Sequence, residues 1–184
     1  MSRFLFALLT VLLAGCSIFP KPEGTAVNYF DIQPPPMIAQ TGTAPKIMIL
    51  PFQAESTYGS RMVFKVNEHQ VKFDEFNRWA APPDEMVRAL LSTYFSGNKE
   101  QGGQPEFTIE GDILKFCCDL PDKTVTVTIA VICREYPSQR IAWREVFTRN
   151  VKIEQETAGA FAAAASRGTV EIAEAIRGRL TAAK

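Results

Sequence analysis

The residues able to do chemistry in this chain are few. There is one histidine, His69, so a multi-histidine metal site or a paired-imidazole acid–base device is excluded within one chain. It stands between Glu68 and Gln70 in what reads as a short hairpin turn, the setting of a surface histidine. Glu106, Glu110 and Asp112 fall on alternate positions of a strand-like stretch, where two carboxylates could share a proton as acid and base. The same spacing is that of a solvated strand face, which is the reading adopted. The cysteines are Cys16, Cys117, Cys118 and Cys133. No P-loop, no Gly-x-Gly-x-x-Gly and no Gly-x-Ser-x-Gly occurs. Nothing gathers titratable groups in the way that shifts a catalytic pKa, so the residues point to a binding protein without metal or cofactor.

Composition agrees. The chain has 184 residues, the length of one domain with appendages. With 46% hydrophobic and 22% charged residues it is the composition of a folded protein. Twenty basic residues balance twenty acidic ones, and a nucleic-acid partner is excluded by the lack of a basic excess.

The N-terminus reads as an address. Met1, Ser2 and Arg3 form a short positive region, residues 4–13 are apolar except for Thr10, and Leu13-Ala14-Gly15-Cys16 follows. The apolar run is about half of what a membrane span needs, so residues 1–15 are expected to be a signal peptide. Leu-Ala-Gly-Cys resembles the lipobox of bacterial lipoproteins. The resemblance implies a diacylglycerol on the Cys16 sulfur, cleavage before Cys16 and acylation of the new amine. It makes Cys16 the lipid-attachment residue, carrying a covalent lipid and no other cofactor. Two or three chains anchor firmly where one is marginal. Ser17, in place of an aspartate, implies sorting to the outer membrane, with the body facing the periplasm. Residues 16–28 are then the lipidated end and a tether, with Pro20, Pro22 and Gly24 breaking regular structure. Residues 29–184 are expected to form one periplasmic domain.

Within that domain, residues 29–32 read as a brief strand stopped by Pro34, Pro35 and Pro36. Residues 46–52 (Lys-Ile-Met-Ile-Leu-Pro-Phe) read as a strand buried on both faces. Residues 62–66 and 70–73 flank Asn67–Glu68 as a hairpin. Pro82 and Pro83 open a helix with Asp84 and Glu85 in its first turn; Met86, Val87, Leu90, Leu91 and Tyr94 share one face, and Gly97–Asn98 ends it. Residues 106–118, 123–134 and 140–154 read as three antiparallel strands. Val125, Val127, Ile129, Val131 and Cys133 alternate with threonines, and a turn at Pro121–Asp122 sets Val125 opposite Cys118, Val127 opposite Phe116 and Ile129 opposite Leu114. Keeping Ile109 and Phe107 on the core face then needs one bulged residue, placed near Gly111. Thr157 caps a last helix running to about Ala182. Its apolar stripe is Phe161, Ala165, Ile172, Ile176 and Leu180, with Thr169 on the same line. Arg167–Glu171 and Glu174–Arg177 are expected as pairs on the outer side, Gly168 is a weak point, and the small residues 162–165 allow close approach to a neighbour. The order predicts an α+β two-layer sandwich: a mainly antiparallel, mixed sheet with two helices packed on one face.

The register also settles one disulfide question. Cys133 falls near Ile109, about nine residues or roughly 30 Å from Cys118 along the ladder, whereas a bridge needs Cα atoms within about 7 Å. Cys117 and Cys118 point to opposite faces, which leaves only a rare vicinal bridge. The three read as small buried hydrophobes.

The segment Arg78-Trp79-Ala80-Ala81-Pro82 stands out. Trp79 is expected to pack on Met86 or Val87 as a hydrophobic staple at the helix entry, and Arg78 to hold a carboxylate or carbonyl. Here the chain resembles the auxiliary lipoproteins of ABC-type transport systems, including the lipoprotein of paraquat-inducible MCE systems. The order of Tyr29-Phe30-Asp31-Ile32, Ile47-Met48-Ile49-Leu50-Pro51, Met62-Val63-Phe64-Lys65-Val66, the Arg78, Trp79, Pro82 motif and an Ala-rich last helix carries the likeness. It departs from the family pattern at residues 54–59 and at Pro83. The resemblance implies a non-enzymatic partner of MCE-domain and ABC transport proteins that move lipid, docked at the outer membrane while a cytoplasmic subunit hydrolyses ATP. It also implies homo-oligomeric rings, through the hairpin of residues 62–73 or a free sheet edge. The alternative is a lipoprotein that activates an envelope enzyme such as a cell-wall synthase.

Overall fold

Alternating β-branched residues at 125–133 build the middle of the molecule. The computed structural model describes residues 26–34, 45–96 and 103–182. The signal peptide, Cys16, most of the tether, Pro35, Pro36 and the helix end at Gly97–Asn98 lie outside the described residues. The elements run β1 (Asn28–Phe30), β2 (Ile47–Ala54), β3 (Arg61–Asn67), β4 (Gln70–Trp79), α1 (Pro83–Phe95), β5 (Phe107–Asp119), β6 (Thr124–Glu135), β7 (Ile141–Lys152) and α2 (Ala158–Ala182). They make the expected α+β architecture, a mixed seven-stranded sheet with the helices on one face.

The strand order is β1-β4-β3-β5-β6-β7. β5 is long enough for two strands to share one of its edges. β2 runs parallel to its first half, from Ile47 opposite Phe107 to Ala54 opposite Ile113. β3 meets its end in parallel, with Phe64 opposite Cys118 and Lys65 opposite Asp119. The hairpin β3–β4 and the meander β5–β6–β7 are antiparallel. Every apolar member of the Val125–Cys133 row is buried against the helices.

Two strand expectations are corrected. β2 is not buried on both faces: only Phe52 is fully covered and Met48 is 40% exposed. α1 covers one face of β2 and nothing described covers the other. Pro51, which has no N–H to donate, sits inside the register shift between Ile49 and Phe52, where the ladder does not need it. The β5 bulge exists, but at Leu114 and not near Gly111. Pairing is unbroken from Ile109–Cys133 through Gly111–Val131 to Ile113–Ile129, and it resumes at Lys115–Thr128. Ile129 therefore faces Ile113, and Leu114 is pushed out to 37% exposure. Gly111 serves close approach instead: a Cβ there would lie 2.1 Å from the Ala130 carbonyl oxygen and 2.9 Å from the Phe52 ring.

α1 starts where Pro82, extended at φ −55° and ψ 147°, presents its carbonyl to the Met86 N–H at 3.1 Å. Its buried face is Met86, Val87, Leu90 and Leu91. α2 is capped as expected, Thr157 Oγ1 accepting from the Ala160 N–H at 3.1 Å, and its whole predicted stripe is buried. The expected pairs along its outer side are replaced by helix-to-sheet pairs. Glu171 meets Arg149 at 3.5 Å and Arg179 meets Glu145 at 2.5 Å, while Arg177 lies over the Tyr94 ring. β7 is close enough to offer Glu171 and Arg179 a partner, and α1 offers one to Arg177.

Gly168 is the point where α2 crosses the sheet. A Cβ there would meet the Val127 and Val151 methyls at 3.4 Å, ordinary contact with side chains able to yield. Gly168→Ala is therefore expected to raise stability by about 0.5–1 kcal/mol through helix propensity. A lowered urea midpoint would show that the crossing has no slack.

Candidate functional site

The Arg78-Trp79-Ala80-Ala81-Pro82 segment is the join between strand and helix, and its members divide between two faces. Trp79 ends β4 and is 1% exposed. Its ring stands edge-on to Phe116 at 5.2 Å and to Phe161 at 5.0 Å, while Phe161 also meets Phe64 at 5.4 Å. Trp79 is thus the hub between β3, β5 and α2 as a strand residue, in the same core cluster as Met86 and Val87 of α1. Its N–H donates to the Ser60 carbonyl and the Ala80 N–H to the Phe30 carbonyl, each at 2.7 Å. These bonds fasten the 55–60 loop and β1 to the join, and Pro82 turns the chain into α1.

Arg78 points the other way. It lies opposite Tyr29 on β1 and opposite Arg61 on β3, on the face without helices. Its Nε is buried and, among the described residues, has no hydrogen-bond partner, so the expected carboxylate or carbonyl is not found there. Arg61 sits 5.0 Å above the Phe73 ring. Tyr29, Val71, Phe73 and Phe76 are exposed along this edge, Tyr29 to 65%. Two arginines facing each other among exposed aromatics make a surface suited to an anionic, partly apolar partner.

β4 reaches Trp79 only by way of a kink. Asp74 Oδ1 accepts the N–H groups of Phe76 and Asn77, and Asp74 Oδ2 accepts from the Asn77 amide. Partial burial works against the charge of Asp74, but these bonds hold its carboxyl below the usual range. A cleft of about 450 Å³ opens beside it, lined by Phe30, Phe64, Lys72 and the start of α2. Its polar groups are largely committed: Asp74 to the kink, Thr157 to the cap, and Lys72 over the Phe64 ring.

The other candidates stay apart. His69 is exposed in the β3–β4 turn. Glu110 pairs with Arg134 at 3.0 Å, Glu106 accepts from the Lys46 N–H, and Asp112 is exposed. Among the described residues no cluster of three or more His, Cys, Asp or Glu side chains could hold a metal ion. Burial pushes the thiols of Cys118 and Cys133 up to about 11, and that of half-buried Cys117 upward as well. Burial likewise pushes the Tyr58 hydroxyl up to about 12. Groups so shifted are neutral at physiological pH, and a neutral thiol is a poor nucleophile. Cys133 lies opposite Ile109 and Cys118 opposite Val125, so the ladder keeps them apart and all three cysteines are free. A thiol reagent at pH 8 is expected to reach Cys117 first and the other two only on unfolding. One thiol or fewer in the unfolded, unreduced protein would contradict this.

Where β3 joins β5, Lys65 Nζ donates to Asp119 Oδ2 at 2.8 Å. That bond holds Asp119 below the ordinary carboxylate range and Lys65 above its own. Asp119 therefore adds stability above the unfolded-state value of about 4, and this is lost as pH falls through its lowered native value. The urea midpoint should drop less over that acid window in Asp119→Asn than in the wild type. An identical drop in both would remove Asp119 from the acid response.

With this geometry in place, the relatives can be read. The sequence matches the family of ABC-type transport auxiliary lipoprotein components over residues 30–177. The chain belongs to that family. The match begins at Phe30 of β1 and ends inside α2, so it takes in every element of the sheet and both helices. No curated protein matches the sequence. Among solved structures, a DUF330 protein of Xanthomonas campestris is similar at 15% identity and a TM-score of 0.70, covering 85% of this chain and 95% of that one. An uncharacterized protein is similar at 13% identity and a TM-score of 0.68, covering 84% and 99%. At these identities the likeness is one of fold. In this chain Trp79 is buried in the ring cluster, Pro82 precedes α1, and Arg78 lies beside Tyr29 and Arg61. Arg61 and Phe73 were not singled out by sequence; the signal was an arginine and an aromatic on paired strands of one hairpin. No helix of the described residues is long and apolar enough to cross a membrane.

Proposed function

We propose that the chain is an outer-membrane lipoprotein, anchored through a covalent lipid on Cys16, that serves without catalysis as the docking component for a periplasm-spanning MCE-type partner in a lipid-transport system. The observation that carries this is the family match over residues 30–177, which runs from the end of β1 through β2–β7 and α1 into α2. The Leu13-Ala14-Gly15-Cys16 sequence supplies the anchor. Self-association into a ring belongs to the same reading, with the outer edge of β7, unpaired among the described residues, as the contact.

Membrane fractionation tests the anchor. The wild-type protein should be recovered in the outer membrane with a lipid-modified N-terminal Cys16. Cys16→Ala should leave an unprocessed, unlipidated precursor. Recovery of an unmodified wild-type chain from the soluble periplasm would overturn the anchor. An MCE or permease gene beside this one favours the transport role over activation of a cell-wall synthase.

A further inference from the structure

The face around β1 and β4 combines positive charge and exposed aromatic surface in a way the fold itself does not use. Arg61 and Arg78 face each other across β3 and β4, and neither has a carboxylate within ion-pair distance among the described residues. Tyr29 lies opposite Arg78 on the outermost strand, and Phe73 lies beneath the Arg61 guanidinium. All four stand on the side of the sheet opposite the helices. Stability does not require this arrangement: an exposed tyrosine at 65% and two uncompensated guanidinium groups contribute little to a core.

We propose that this β1–β4 edge rests directly on a phospholipid surface. Arg61 and Arg78 would bind headgroup phosphates, and Tyr29 and Phe73 would sit at headgroup depth. The proposal rests on the reading of Cys16 as the lipid-attachment residue. Asn28, where β1 begins, stands twelve residue steps on from Cys16. Fully extended they span about 40 Å, comparable to the diameter of a domain of this size. A tether of that reach lets the edge it enters, β1, lie against the bilayer, and the charge of that edge favours it. Guanidinium groups match phosphate oxygens by paired N–H donors, and tyrosine is favoured at the membrane–water interface. Val146 offers an internal comparison. It is 58% exposed on the same face but on β7, at the opposite edge of the sheet, and its neighbours include no such arginine pair.

Depth-dependent quenching tests this. In a Cys117→Ser background, an environment-sensitive fluorophore is attached at Tyr29→Cys, Phe73→Cys or Val146→Cys in the lipidated protein. The protein is reconstituted in vesicles of phosphatidylethanolamine and phosphatidylglycerol doped with spin-labelled lipid. Quenching several-fold stronger at positions 29 and 73 than at 146 is expected, with the difference abolished by Arg61→Glu. Equal quenching at all three positions would overturn the proposal, as would a difference untouched by Arg61→Glu. A probe at 29 that stays in water on the vesicle would also overturn it, leaving a protein as the occupant. The same readout applies to a chain added free to vesicles. An unlipidated chain still quenched at 29 would show that the surface holds the bilayer whether or not Cys16 carries a lipid. A lipidated chain with uniform quenching would remove the surface and keep the anchor.

Discussion

Trp79→Ala is expected to lower the free energy of unfolding by about 3–5 kcal/mol, the usual cost of emptying a large aromatic site. The ring is 1% exposed and meets Phe116 and Phe161 edge-on, and Phe161 in turn meets Phe64. Removing it opens a cavity where β3, β5 and α2 come together, and two edge-to-face contacts worth about 0.5–1.5 kcal/mol each are lost with it. A domain typically has about 5–15 kcal/mol in all, so the variant should be marginally folded. Urea unfolding checks this. The size of the effect separates two roles for the motif: as a surface docking residue, Trp79 would be removed at a cost within about 0.5 kcal/mol while partner recovery fell. A loss that small would contradict the position of Trp79 at the hub.

Gly111→Ala is expected to cost about 2–3 kcal/mol, the scale of overpacking in a tight site. The added Cβ would lie 2.1 Å from the Ala130 carbonyl oxygen and 2.9 Å from the Phe52 ring. The first neighbour is backbone of the central ladder and cannot rotate away, so β5 must shift from β6, and the Phe52 ring must give way as well. Gly168→Ala, in which the new methyl meets only yielding side chains, should move the other way. The pair of variants separates a glycine needed for space from one that is not. A wild-type urea midpoint for Gly111→Ala would mean that β5 and β6 are less closely apposed than the structure has them.

β6 and the last helix are legible because each keeps one period along its buried face. Val125 to Cys133 alternates strictly, and Phe161, Ala165, Thr169, Ile172, Ile176 and Leu180 keep the helical spacing, so every one of these residues is buried as the pattern requires. β4 was harder. Its alternation breaks at the Asp74 kink, where side-chain bonds replace ladder bonds, and the strand resumes only to deliver Trp79. The parallel partners of β1 and β2 were not legible, since parallel pairing leaves no turn between partners to mark it. Ile47 meets Phe107 sixty residues on, and Tyr29 meets Arg78 across β2, β3 and most of β4. The bulge was inferred correctly in kind, because the two ends of β5 need different registers, but a strand glycine marks either a bulge or a close approach. Gly111 is the second case and Leu114 carries the first.

The same difference explains the candidate site. The likeness of Leu13-Ala14-Gly15-Cys16 to a lipobox is visible because such a motif lies in consecutive residues and needs no fold to assemble it. The Arg78, Trp79, Pro82 motif was visible as a motif but not as a division of labour. Adjacent strand residues face opposite ways, and only the location of the helices decides which is core. Once they cover the Trp79 face, Arg78 is left with Arg61 and Tyr29 on the open side.

The central claim, a lipoprotein that docks a transport partner, is tested most directly by crosslinking in native membranes followed by copurification of the lipidated protein. The account predicts recovery of MCE-domain and ABC permease subunits. Recovery of a cell-wall synthase with no transport protein would contradict it.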